Sequence, residues 1–149
     1  MEQPVQPTES LDVLFAQICR LKHARVQSLL EALGLYEGQP ALLRSLWEEE
    51  GLTHTELARR LHIRPATVTK MIQRMEKSGF VERRPDPADQ RLSRVYLTQP
   101  GRSVQEAVRQ VWRTLEGEAF SGFSDGERAE LRRCFWQIRE NLRRASAPR

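Results

Sequence analysis

Between Thr53 and Thr98 two short helical patterns are joined by a tight turn and followed at once by a hairpin pattern, an order that few folds accommodate. The first helix is expected from about Thr53 to Leu61. Thr53 with Glu56 three residues on spells a capping box, and Leu57, Ala58 and Leu61 give one apolar stripe. The turn His62-Ile63-Arg64 leads to Pro65, whose missing N–H is harmless at the first position of a helix. The second helix runs to about Ser78, with Gly79 as its C-cap. On a helical wheel Val68, Met71, Ile72 and Met75 fall together as a core stripe. Ala66, Thr67, Lys70, Gln73, Arg74 and Lys77 fall on the other side. That outer face carries cations, an amide and a hydroxyl and no carboxylate, which suits phosphates and base edges. A solvated face is the plain reading of an isolated basic helix; the hairpin that follows favours the functional one. That hairpin reads Phe80 to Arg84, a Pro/Asp turn cluster at 85–91, and Leu92 to Thr98: a wing with a polar, basic tip.

Charge is concentrated in the same stretch. Residues 53–98 hold ten Lys/Arg against five Asp/Glu, while the remainder holds 14 against 15. The overall net charge of +4 therefore originates in this one segment. A positive patch confined to the best motif is the electrostatic footprint expected of a nucleic-acid binder.

A chain of 149 residues fits one domain, or a small domain with an oligomerisation element. No run of about 18 apolar residues exists to span a membrane. The start, MEQPVQPTES, lacks the basic-then-apolar pattern of a secretion signal. Cys19 and Cys134 are too far apart in sequence to suggest a disulfide framework or a metal-ligand spacing, so a cytoplasmic protein is expected. His23, His54 and His62 likewise show no ligand spacing. There is no Ser/His/Asp order, paired carboxylate or glycine-rich phosphate loop, so neither an enzyme nor a cofactor is expected.

Around this segment the chain reads as helix. Residues 1–9 suggest a loose arm. From Ser10 to Gly34, Leu11, Leu14, Ile18, Leu21, Val26, Leu29, Leu30 and Leu33 recur at three- and four-residue spacing. A shorter helix from about Pro40 to Glu50 carries Leu42, Leu43, Leu46 and Trp47. Behind the wing, helices are expected from about Pro100 to Glu118 and, after a second capping box at Ser124 and Glu127, to about Arg144. Three of these helices bear apolar stripes that a winged helix alone does not cover, and a second subunit is the simplest cover. The fold class is thus mainly α, an α+β winged helix-turn-helix at 37–98 with an intersubunit helical dimerisation region at 10–36 and 99–146.

With residues 34–61, 65–98 and 123–131 in view, the sequence resembles the MarR family of transcriptional regulators. Asp89-Gln90-Arg91 matches the family's Asp-x-Arg element in the wing, with Arg94 three residues later. The resemblance covers about residues 11–144 and implies a triangular, two-fold symmetric homodimer in which first, fifth and sixth helices interlock. Double-stranded DNA with a near-palindromic operator would be the partner, half-sites lying about one helical turn (~34 Å) apart. Arg64, Thr67, Thr69, Lys70, Gln73 and Arg74 are the expected contacts in the major groove, and Arg91 and Arg94 in the wing. Asp89 is expected to hold Arg91 in place. Thr53 and His54 would offer backbone N–H groups to a phosphate. The family often has Ser, Asp or Asn before the recognition-helix proline; Arg64 stands there instead, so a cap bond is lost and a cation gained.

The family's effectors, where present, are small aromatic or amphipathic and often anionic molecules bound between the dimerisation helices and the winged helix. Phe15, Cys19, His23, Trp47 and Trp112 would line such a cleft, though each also suits a core. Some relatives sense oxidants through a cysteine near the start of the first helix, a position that falls near Asp12 rather than Cys19. Three readings are therefore carried: a ligand-relieved repressor, a thiol-based regulator using Cys19, and a winged helix that contacts protein or RNA.

Overall fold

Two capping boxes set the frame of the molecule. The Thr53 hydroxyl accepts from the Glu56 N–H while the Glu56 carboxylate accepts from the Thr53 N–H, and Ser124 and Glu127 repeat the exchange. Each satisfies donors that a helix start leaves orphaned. The computed structural model describes residues 10–147, so the expected arm at 1–9 lies outside the described residues. The order is α1 (Leu11–Glu31), α2 (Gln39–Glu48), β1 (Leu52–Thr53), α3 (His54–Leu61), α4 (Pro65–Lys77), β2 (Val81–Pro85), β3 (Ser93–Leu97), α5 (Gln99–Ala119) and α6 (Asp125–Ala145). No helix is long and apolar enough to cross a membrane among the described residues.

β2 and β3 pair antiparallel with Val81 opposite Leu97 and Arg83 opposite Val95. Val81, Val95 and Leu97 are buried on one face, as the two-residue alternation requires. β1, which the sequence does not signal, adds to the other side of β3, Leu52 opposite Val95. Its two residues are too few to show alternation; pairing with β3 makes the strand.

Compactness divides the chain after Leu115. In the first unit Leu42, Leu43 and Leu46 of α2, Leu57 of α3, and Val68, Ile72 and Met75 of α4 are buried against the sheet. Each such side chain contributes about 1.5–3 kcal/mol. Val26 and Leu30 of α1 and Val108 and Val111 of α5 join the same cluster. The unit boundary thus falls inside α5, and parts of both helices assigned to the dimerisation region help build the winged-helix core. The first half of α1 contributes nothing to it: Leu11, Leu14, Phe15, Ile18 and Leu21 are exposed. In the second unit Phe120 meets Phe123 edge-on and Phe135 at a tilt, and Arg128 donates to the Phe120 carbonyl at 2.7 Å. Phe135, Trp136, Ile138 and Leu142 of α6 remain exposed.

Candidate nucleic-acid interface

The helix-turn-helix closes through His62, the C-cap of α3, which takes φ 53° in the left-handed region, while the Ile63 N–H reaches back to the Ala58 carbonyl at 3.1 Å. Arg64 then caps α4 with no side-chain cap bond, as its side chain can supply no acceptor. Val68, Ile72 and Met75 anchor one face of α4 in the core, which fixes the rotation of the helix about its axis. The opposite face is thereby exposed, and with it Arg64, Thr67, Lys70, Gln73, Arg74 and Lys77. An open cleft of about 640 Å³ runs beside this face, with Tyr36, Glu37 and Gln39 on its far wall. Tyr36 is 57% exposed, an aromatic group next to the basic helix and outside the motifs of the sequence. Its one signal was a lone aromatic in a glycine-flanked turn.

Two expected contacts in the helix-turn-helix, Thr69 and Thr53, are placed differently. Thr69 is half-buried, and its hydroxyl lies 3.0 Å from Nδ1 of His54. On the wheel it sits at the border between the two faces, and the His54 ring draws it inward. The Thr53 N–H is taken by Glu56 at 2.8 Å, leaving it no free donor for a phosphate. The His54 ring points into the α3–α4 contact, where Nε2 is buried without a hydrogen-bond partner. Burial, with Arg83 nearby, holds this imidazole below the usual histidine range, against a smaller upward pull from Glu76.

The wing is built on Asp86, a buried carboxylate. Its Oδ1 accepts the N–H groups of Ala88 at 2.7 Å and Asp89 at 3.0 Å, and its Oδ2 accepts from Nε of Arg94. The Arg94 bond, then the two N–H groups, hold the Asp86 carboxyl below the ordinary carboxylate range. Nη1 of Arg94 donates to the Gly51 carbonyl at 2.7 Å and stands 3.9 Å from Glu56. Arg94 therefore ties the wing's base to β1 and to the cap of α3, which differs from the expectation that it reaches DNA. Asp89 accepts from the backbone N–H of Arg91 at 3.0 Å, shaping the tip through the main chain, and the Arg91 side chain is exposed.

The acidic residues of the segment are all spent internally. Glu76 holds Arg83 at 2.9 Å, Glu82 pairs Arg84 and Asp86 pairs Arg94, while Glu49, the C-cap of α2, pairs Arg60 from outside the segment. Arg84 also lies 4.4 Å over the Tyr96 ring. Arg59, Arg64, Lys70, Arg74, Lys77 and Arg91 form no ion pair among the described residues. Unneutralised positive charge thus stands on the outer side of the helix-turn-helix and at the wing tip, where a polyanion gains most from it.

The residues expected to form an effector cleft do not all meet within one chain. Trp47 and Trp112 share a shallow cavity of about 290 Å³ with Arg44, Glu48, Gln105, Val108 and Arg109. The Trp47 indole N–H donates to the Gly101 carbonyl at 2.9 Å, which gives that ring a packing role as well. Phe15, Cys19 and His23 lie exposed on α1 and do not line this cavity. Cys134 is half-buried, with Sγ 3.7 Å from Glu130 Oε1.

A helix-turn-helix whose second helix shows a basic, carboxylate-free face, joined to a wing, defines the class: a winged-helix DNA-binding transcriptional regulator. The MarR family is matched over residues 35–93. The transcriptional regulator HosA of Escherichia coli O111:H- is 33% identical over 97 residues, covering 65% of this chain and 71% of that protein. Among solved structures, apo MarR from E. coli superposes with a TM-score of 0.70 at 25% identity, over 89% of this chain and 98% of that one. A MepR variant from S. aureus bound to an oligodeoxyribonucleotide gives a TM-score of 0.71 at 23% identity, over 90% and 99%. The protein belongs to the MarR family, whose members are transcriptional regulators and not enzymes.

Proposed function

We propose that the protein binds a near-palindromic operator as a homodimer, represses a nearby gene, and is relieved by a small aromatic or anionic ligand. The outer face of α4 carries this reading: Thr67, Lys70, Gln73 and Arg74 are exposed together, on a helix whose rotation the core fixes. Lys70 or Arg74 would reach guanine and Gln73 adenine, each pairing giving roughly 1–3 kcal/mol of discrimination. Arg64 and Lys77 at the two ends of α4, and Arg91 at the wing tip, would meet phosphates. The MepR relative in complex with an oligodeoxyribonucleotide supports DNA as the partner. The apolar residues exposed on α1 and α6 support a second copy as their cover. The cavity at Trp47 and Trp112, lined also by Arg44 and Arg109, would offer an anionic aromatic ligand both stacking and charge. A cytoplasmic location accords with this role.

Fluorescence anisotropy on the DNA upstream of the protein's own gene, against scrambled DNA and at two salt concentrations, tests the reading. The expected result is tight binding that prefers the upstream DNA with two subunits per site. Weak binding to every duplex offered, including those from a genomic selection, would instead assign the basic face to another partner.

A further inference from the structure

His54 occupies a place that neither a core residue nor a DNA contact explains. It is the first residue of α3, and its ring reaches across to α4, where Nδ1 lies 3.0 Å from the Thr69 hydroxyl. Nε2 is buried and has no hydrogen-bond partner. A buried bare lone pair is tolerated more readily than a buried orphan N–H, so the proton belongs on Nδ1, which donates to Thr69. Thr69 adjoins Val68 and Lys70, so this bond ties down α4 at the border between its core face and its outer face.

We propose that His54 is a positioning residue for the recognition helix: as the neutral Nδ1–H tautomer it locks α4 through Thr69, and protonation at Nε2 releases that lock and weakens DNA binding. The proposal rests on the DNA-binding reading above only for its last clause. Protonation would place a donor where no acceptor waits and a positive charge at the N-terminal, positive end of α3. The charged groups facing the ring are Arg83 from β2 and Glu76 from α4. Glu76 cannot readily answer the new N–H, since Arg83 already binds both of its oxygens. On α3 itself Glu56 is turned to the Thr53 N–H and towards Arg94 of β3, and Glu49, the C-cap of α2, is paired with Arg60. The lowered affinity of this half-buried ring for protons accords with this geometry.

The sign follows from linkage. A competent state that excludes the proton is depleted as pH falls, by up to about tenfold per pH unit below the pKa of the released ring. The test has an arm without DNA. Imidazole ¹⁵N spectra of the full chain should show the Nδ1–H tautomer at pH 7.5, with His54 titrating below the ordinary histidine range. Backbone amides of residues 66–74 should move along the same curve. In the second arm, affinity for a genomic duplex selected at pH 7.5 is followed down to pH 5. The wild type should lose affinity several-fold more than His54→Gln, whose amide can still bond Thr69 but does not titrate. Thr69→Val should weaken binding at every pH and serves if His54→Gln fails to fold. Titration of His54 within or above the ordinary histidine range, or α4 amides indifferent to it, overturns the proposal whatever the DNA result. Identical pH profiles for wild type and His54→Gln overturn its functional clause. No binding at pH 7.5 by the wild type would instead sink the DNA-binding reading.

Discussion

Arg91 and Arg94 differ by three positions and by what they do. Arg91 is exposed and unpaired among the described residues, whereas Arg94 is spent on Asp86 and the Gly51 carbonyl. Arg91→Ala should weaken binding to all sequences and reduce the salt slope by about one. An unchanged slope would remove the wing tip from the contact set. Arg94→Ala should act through stability, because it strands the buried Asp86 carboxylate; its readout is the melting temperature without DNA. Asp86 has a folded-state pKa below its unfolded value, so its contribution is complete above the ordinary carboxylate range. That contribution is lost as pH falls through the depressed folded value. The melting gap between wild type and Arg94→Ala should therefore close in acid and stay open at neutral pH; a gap that ignores pH would argue against the pair. For specificity, Gln73→Ala should relax preference at one operator position while sparing non-specific binding; equal loss on every sequence would make it a backbone contact. Thr67, Lys70, Gln73 and Arg74 were legible because period alone puts them opposite the core stripe. Thr69 and Arg94 were not, because their partners lie 15 and 8 residues away and become neighbours only in the fold.

The elements themselves followed closely from local chemistry. Both capping boxes formed as spelled, and Pro65 opens α4. What local chemistry left out is how closely elements approach. Gly101, in the first turn of α5, lies so near β2's entry that an added Cβ would stand 2.0 Å from the Phe80 carbonyl oxygen. Backbone cannot swing aside as a side chain can. Gly101→Ala should thus cost more than the usual 1–3 kcal/mol of an overpacked site, read as a lower midpoint in chemical denaturation. It should also disturb Trp47, whose indole donates to the Gly101 carbonyl, giving a shift in tryptophan emission. Wild-type stability in this variant would mean that α5 starts farther from Phe80. β1 teaches the same point from the other side, since two residues carry no pattern and the strand exists only through β3.

At the scale of the molecule the unresolved quantity is apolar surface. Leu11 is 87% exposed, Leu21 71% and Trp136 56%, apolar surface of the kind that a protein partner would cover. If a second copy provides the cover, sedimentation of the wild type at micromolar concentration should give twice the mass of the 149-residue chain. Ile18→Glu should give a folded monomer with unchanged helix content and greatly weakened operator binding. A wild type that stays monomeric at high concentration would assign these faces to a different partner. Melting that rises with protein concentration would be an independent sign of association.

The sequence by itself determined the helices, the two capping boxes, the hairpin and the face of α4 that stays out of the core. Those follow from periods of 3.6 and 2 and from residues that act on neighbours within one turn. It also determined where positive charge is concentrated, since composition needs no coordinates. Only the tertiary structure decided which of those cations are neutralised, that Thr69 answers to His54, that Arg94 braces the wing, and that Trp47 and Trp112 meet while Phe15, Cys19 and His23 stay apart from them. Those are distances between residues remote in sequence. Such distances depend on how whole faces pack, and no local pattern encodes them.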